Sequence, residues 1–307
     1  MRNVFSEELY KIGKKNKKIH IVAADISPAG SMEKFRIEYP NRFVNVGVAE
    51  QVMIGVCAGL AMRGQKPFAY TIATFALYRP FEMIRDDLGY QNLPVTIVGM
   101  GAGTVYSNLG GTHLAQEDVS IAKSIPNMRV IAPSDPLELK EAVKFCTKNS
   151  SGPIYLRIGK SGEKNYTKDA SEKWEFGKIR KIKNGQTICF LTYGPIIKLA
   201  SEVILNLKEK RLNPSLYSCH TLKPLDTKRI KKIFKKYDLI VIVEDHSEIN
   251  GLAADVKILA YNNKYDGKVL GYSLKDKFFH TYEIQQDMLD LHGINKNKII
   301  KDILSKI

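Results

Sequence analysis

The stretch FVNVGVAEQVMIGVCAGLAMRG, residues 43–64, decides the fold. Phe43–Val48 is a short apolar run of strand character, and the residues from Ala49 to Arg63 fit one helix. Between Gln51 and Met62 that helix carries no charge, and a helix apolar on every face belongs inside a protein. Gly55, Ala58, Gly59 and Ala61 leave room for close backbone approach. Working outward, IHIVAA (19–24), KPFAYT (66–71), PVTIVGM (94–100), RVIAP (129–133) and PIYLRI (153–158) read as further strands. Helical patterns lie around 32–39, 75–89, 116–123 and 135–148. Strands that are apolar throughout and separated by helices predict a mostly parallel sheet covered on both faces.

The pattern breaks at KSGEKNYTKDASEKWEFGKIRKIKNGQ (160–186), which is polar and poor in aliphatic residues. It resumes with TICFLTY (187–193), PSLYSCH (214–220), LIVIVED (239–245) and KVLGY (268–272), alternating with helices at 196–209, 226–236 and 252–261. Two more helices are expected near 281–290 and 295–306. The expectation is two α/β domains, 1–160 and 187–307, with 161–186 as a linker too long to be a turn inside one domain.

Composition bounds the function. The chain has 307 residues, of which 44% are hydrophobic and 26% charged, the balance of a globular protein rather than a disordered one. No apolar run reaches the roughly 18 residues of a membrane span, and the N-terminus lacks the apolar core of a secretory signal, so a cytoplasmic protein without a membrane partner is expected. Cys57, Cys146, Cys189 and Cys219 form no CxxC or Cys/His pair with metal spacing, which predicts buried thiols and no metal site in this chain. The net charge of +15 is densest around TKRIKKIFKKY (227–237). There Ile230, Ile233 and Phe234 recur at helical spacing between the lysines, which describes an amphipathic helix with a solvated face and argues against nucleic-acid binding.

Glu50 stands in the first turn of the apolar helix. An exposed carboxylate there gains about 0.3–1 kcal/mol from the helix dipole. A buried one is costly unless it is paired, or neutral with a raised pKa, and such positions concentrate at functional sites.

Residues 43–85, with SIPNMRVIAPSDPLELKEAV (124–143), YGPIIKLASEVI (193–204), HTLKPLD (220–226) and IVEDHSEINGLAADV (242–256), form an ordered series. It resembles the pyrimidine-binding and C-terminal domains of the transketolases and their thiamine-diphosphate-dependent relatives. The resemblance implies that Glu50 hydrogen-bonds a ring nitrogen of the cofactor's aminopyrimidine and stabilises its imino tautomer. It implies that Phe75, Tyr78 and Phe81, spaced by three, line an apolar pocket for that ring, and that Asp25 lies near the cofactor. His113, in GGTHLAQED (110–118), matches a histidine that contacts substrate oxygens. Arg157 and Lys160 match arginines linked to substrate phosphate, Lys160 keeping the charge but not the bidentate fork. Departures cluster around the substrate: Leu109, Gly101 and Ala102 stand where relatives carry an acid, a histidine and an arginine.

The GDG…N segment with which transketolases hold a divalent cation and the cofactor's diphosphate does not occur; the only Asp-Gly pair is Asp266–Gly267. The resemblance therefore implies the C-terminal subunit of a split enzyme. A separate diphosphate-binding subunit would hold Mg2+ or Ca2+ with the thiamine diphosphate, in an α2β2 assembly. The expected reaction moves a two-carbon ketol unit from a ketose, in phosphorylated form, to an aldehyde. Alternatives are a decarboxylating enzyme like deoxyxylulose-phosphate synthase or a 2-oxo-acid dehydrogenase β subunit, and, from another class, a non-catalytic scaffold. Glu244–Asp245–His246 ends a strand but is not given a catalytic role, because the matching domain serves dimer contacts.

Overall fold

The computed structural model describes residues 1–28 and 30–307. Among the described residues the strands run β1 (Ile19–Ala23), β2 (Phe43–Asn45), β3 (Lys66–Ile72), β4 (Thr96–Met100), β5 (Arg129–Ile131), β6 (Ile154–Ile158), β7 (Arg180–Lys183), β8 (Cys189–Thr192), β9 (Ser215–Ser218), β10 (Thr221–Lys223), β11 (Leu239–Ser247) and β12 (Lys268–Leu274). They make two mostly parallel sheets flanked by helices, in the orders β10-β5-β6-β4-β3-β1-β2 and β12-β11-β8-β9-β7. Central strands such as β4 and β6 are buried at every residue, so their apolar character serves two faces at once.

One face of the first sheet is closed by the helices Arg2–Lys15 and Pro136–Lys148, through Phe5, Leu9, Leu139 and Val143. Asp135 caps the second helix, accepting from the backbone N–H of Leu137 and Glu138. The opposite face does not end at a domain boundary. Met53, Ile54, Leu77, Ile97 and Tyr155 belong to the same apolar cluster as Leu191, Tyr217 and Ile240 from the second sheet and Leu252 from the helix after β11. The far side of the second sheet is covered by helices Ile197–Glu209 and Lys296–Leu304.

Three features differ from the sequence expectation. The polar stretch read as a linker contains β7, antiparallel to β9 at the edge of the second sheet. Residues Thr221–Lys223 leave the second sheet and pair antiparallel with β5 of the first, Thr221 opposite Ile131. The helix expected over 75–89 is interrupted: Ala73–Leu77 ends in a turn, Phe81–Met83 restarts it, and Ile84–Tyr90 widens into a π-type turn. Pro80 supplies the break, since it has no N–H and disfavours helical geometry at the residue before it.

His220, just before the crossing strand, is fully buried and stacks on Trp174 with ring centroids 4.9 Å apart. Burial lowers its pKa to about 3, so the ring is held neutral in the fold. An unfolded histidine titrates near 6.5, so below that pH the unfolded chain takes up a proton that the folded chain refuses. Stability is therefore expected to fall progressively as pH drops from about 6.5 toward 4. Urea midpoints followed by fluorescence of Trp174, the single tryptophan, should show this slope, and His220→Phe should make it shallower, the remainder coming from His292, whose pKa burial lowers to about 4. An equally steep slope in the variant would refute the assignment.

Candidate active site

Parallel strands β1, β2, β3 and β4 all point their carboxyl ends to one edge, where open α/β sheets bind ligands. Asp25 follows β1, Glu50 begins the helix after β2, Phe75 lies in the helix after β3, and the loop 101–113 follows β4. The exposed side chain of Asn45 ties two of these loops together, its Oδ1 accepting from the N–H of Asp25 at 3.2 Å and of Gly47 at 3.0 Å. Asp25 itself is exposed and in the left-handed region (φ 47°). Among the described residues its carboxylate makes no hydrogen bond or ion pair.

Glu50 is buried, at 2% exposure, and paired. Both its oxygens accept from Nη1 of Arg79, at 3.1 and 3.0 Å. Of the two states open to a buried carboxylate, the molecule takes the paired one. Arg79 is half-exposed and lies over the face of Phe75, with Cζ 4.5 Å from the ring centroid. His113 meets the same ring edge-on, with centroids 5.1 Å apart, and its Nδ1 is 2.9 Å from Thr112 Oγ1. Partial burial lowers the His113 pKa, which favours a neutral ring. Glu50, Phe75 and His113 are thus gathered at one spot, linked through Arg79 and the Phe75 ring.

The other two aromatic residues do not share that spot equally. Tyr78 turns its hydroxyl to Glu117 Oε2 at 2.9 Å, and burial with this acidic neighbourhood raises its pKa strongly. Phe81, beyond the Pro80 break, packs partly buried on the shared core. Tyr106 extends the constellation from the other side, its ring centroid 6.3 Å from His113. Lys160 Nζ stands 4.9 Å over Tyr106, at the rim of a cleft of about 380 Å³ also lined by Lys164, Lys198, Tyr166 and Gln285. Gly101 has φ 69°, and any side chain there would run into the Tyr106 ring. A glycine at the position matching a substrate-binding histidine is therefore required by Tyr106, which fills that space.

Arg157 corrects the sequence expectation. Only 3% exposed, it donates through Nε to Asp118 Oδ2 at 2.8 Å and through Nη2 to the Asp245 carbonyl at 2.7 Å. Tyr155 donates to the same Asp118 oxygen at 2.7 Å. Burial opposes the Arg157 charge, but Asp118 together with Tyr193, Tyr155 and Asp245 outweighs it, and the Arg157 pKa is raised. The guanidinium clamps the junction of the two sheets and is closed to a substrate anion. Asp245 and His246 belong to the same junction: Asp245 accepts from the Thr104 N–H and hydroxyl, and His246 Nε2 accepts from the Ser120 N–H at 3.2 Å.

Arg79, Glu117 and Tyr106 were missed in the sequence. Arg79 carried a signal, being a charge set four residues after Phe75 amid otherwise apolar helical spacing.

One side of the site is open. On the helix Glu50–Met62, the face carrying Val52, Gly55, Gly59 and Met62 is exposed, contrary to a helix buried all round, and Val48 beside it is 65% exposed. Nothing lies within 4 Å of where a Cβ on Gly55 or Gly59 would stand. Among the described residues, no group of three or more His, Cys, Asp or Glu is placed to hold a metal ion, and no helix is long and apolar enough to cross a membrane.

Residues 1–163 match the transketolase pyrimidine-binding domain and residues 177–299 the transketolase C-terminal domain. A protein of Methanocaldococcus jannaschii described as a putative transketolase C-terminal section is 33% identical, over 100% of this chain and 96% of its own length. One of the subunits of an apulose-4-phosphate transketolase from Phocaeicola vulgatus is 28% identical over 99% of this chain and 96% of its own. A 1-deoxy-D-xylulose-5-phosphate synthase of Dictyoglomus thermophilum is 33% identical over 98% of this chain, which spans only 48% of that relative. Among solved structures, a split-gene transketolase described as an inactive β4 tetramer superposes with a TM-score of 0.88 at 29% identity, covering 99% of this chain and 97% of that one.

Proposed function

The chain belongs to the transketolase family, whose members are thiamine-diphosphate-dependent, and from that premise we propose that it is the pyrimidine-side subunit of a split transketolase. The observation that carries the reading is a buried Glu50 carboxylate beside the Phe75 ring and His113, at the carboxyl edge of the sheet and next to an open apolar helix face.

These residues fit the aminopyrimidine half of thiamine diphosphate: Phe75 offers a flat apolar surface, and Glu50 a shielded carboxyl able to share a proton with a ring nitrogen. When bound, the cofactor supplies the nucleophilic carbon and the electron sink for moving a two-carbon ketol unit from a ketose to an aldehyde. Glu50 holds the proton at the ring nitrogen and so sets the tautomer. Neutral His113, at the rim of the ring site, donates to or accepts from substrate oxygens. Lys160, at the mouth of the cleft, attracts an anionic group at the substrate's far end, such as a phosphate. With no metal-ligating cluster among the described residues, the diphosphate and its Mg2+ or Ca2+ fall to a partner subunit in an α2β2 enzyme. The related β4 tetramer described as inactive supports this division of labour.

The partner would close the site over the apolar helix face, since exposed apolar surface of this kind marks interaction sites. That face makes a separable prediction. Gly59→Phe has free space in the isolated chain and should leave its unfolding free energy within about 1 kcal/mol of wild type, as removing a helical glycine is itself mildly favourable. The same ring should block close approach of the partner and weaken assembly at least tenfold in titration calorimetry. Unimpaired assembly would remove this face from the interface.

The test of the function is to purify the chain with and without a candidate diphosphate-binding subunit and assay donors. Ketose turnover without carbon dioxide release, only in the pair, is the expected result. Robust turnover by this chain alone would sink the split-enzyme reading. Pyruvate decarboxylation would move the assignment to the synthase chemistry that the Dictyoglomus relative's name describes.

A further inference from the structure

Arg79 occupies both surfaces to which the preceding reading assigns the cofactor's ring. Its Nη1 donates to the two oxygens of Glu50 at 3.1 and 3.0 Å, and its Cζ lies 4.5 Å from the centroid of Phe75. A guanidinium is flat, delocalised and rich in N–H donors, and it stacks on aromatic faces. An aminopyrimidine lying on Phe75 and bonded through a ring nitrogen to Glu50 would use the same face and the same carboxylate. The two occupants compete for the same space, because the guanidinium lies over the Phe75 face and stands against both Glu50 oxygens.

We propose that Arg79 is a displaceable plug of the pyrimidine site, an internal surrogate that fills it until the cofactor enters. The inference rests on the cofactor reading given above. The plug has a physical reason to exist. Glu50 is 2% exposed, and an unpaired carboxylate so placed is strongly disfavoured. Arg79 satisfies it while the site is empty, and Arg79 itself is 44% exposed, so it can swing into solvent without burying its charge elsewhere. Loading is then an exchange in which the guanidinium leaves with its charge, one proton is taken up from solvent in its place, and Glu50 and the ring nitrogen share that proton in a hydrogen bond. No carbon or nitrogen skeleton bond is made or broken. The apparent affinity for the cofactor is the intrinsic affinity reduced by the fraction of molecules with the plug withdrawn.

The experiment measures binding, not turnover. In the enzyme reconstituted with its partner subunit, thiamine diphosphate with Mg2+ is titrated calorimetrically into wild type, Arg79→Ala and Arg79→Lys. If the plugged state holds nine-tenths or more of the population, Arg79→Ala should tighten binding by about tenfold and speed association, with Arg79→Lys in between. Equal or weaker binding by a folded Arg79→Ala variant overturns the plug. A crystal structure of the loaded wild-type enzyme serves even if that variant folds poorly. Arg79 withdrawn from Glu50 supports the proposal, and Arg79 still bonded to both oxygens beneath a bound ring overturns it while leaving the cofactor reading intact. A reconstituted wild type that does not bind thiamine diphosphate at all overturns both.

Discussion

Glu50→Ala and Glu50→Gln in the reconstituted enzyme are expected to lower turnover by about 10²–10⁴-fold, the usual range for losing a positioned proton-transfer group. The loss should fall on kcat, because Phe75 and the partner's contacts to the diphosphate still bind the cofactor. The fold should survive. The variant leaves Arg79 without its anion, but Arg79 is half-exposed and can be solvated, so the stability change is expected to stay near 1 kcal/mol. The informative pair of measurements is therefore kcat and the urea midpoint on the same preparation. Turnover within a few-fold of wild type, with assembly intact, would make Glu50 a structural carboxylate and leave a scaffold subunit as the better reading.

Arg157→Ala should do the reverse, damaging the fold before the chemistry. The substitution strands Asp118, a fully buried carboxylate whose Oδ1 already has no hydrogen-bond partner, and removes the donor to the Asp245 carbonyl. Breaking a buried pair by deleting one member costs about 3–5 kcal/mol, because the remaining charge is uncompensated. The double variant Arg157→Ala with Asp118→Asn should recover part of that loss, since it removes the stranded charge along with its partner. Urea unfolding of the four proteins in the cycle gives the coupling directly. A single-variant loss below 1 kcal/mol would mean that the ion pair does not hold the junction.

Arg157 also illustrates where reading residues in order reaches its limit. The strand PIYLRI was legible because it is apolar apart from its arginine, and the same pattern located the central strands of both sheets. Its arginine was assigned to substrate because it matches an arginine linked to substrate phosphate in the family that the sequence resembles. Asp118, which neutralises it, lies 39 residues away on a helix of the first sheet's own layer, and Asp245, 88 residues away, reaches it only through the packing of the second sheet on the first. Glu50 was legible for the opposite reason: the apolar helix around it is local and announces burial. The exposed face of that helix was not, since an interface between subunits and an interior use the same residues. Arg79 fell between these cases. Pro80 and Arg79 stand out in the sequence only as departures from a helical aromatic series, and the broken helix that turns Arg79 back over Phe75 is a consequence of that proline.

The three residues of β10 carry a consequence for how such a protein can be divided. They come from the second half of the chain yet complete the edge of the first sheet, with Thr221 opposite Ile131 and the Ala132 N–H bonded to the His220 carbonyl at 2.8 Å. Expressing the two halves as separate genes, cut anywhere between 164 and 176, would leave the β5 edge bare, and naked strand edges invite self-association. A cut within the unit is therefore penalised, which makes the pair of sheets, rather than either one, the smallest piece of this chain that can be moved intact.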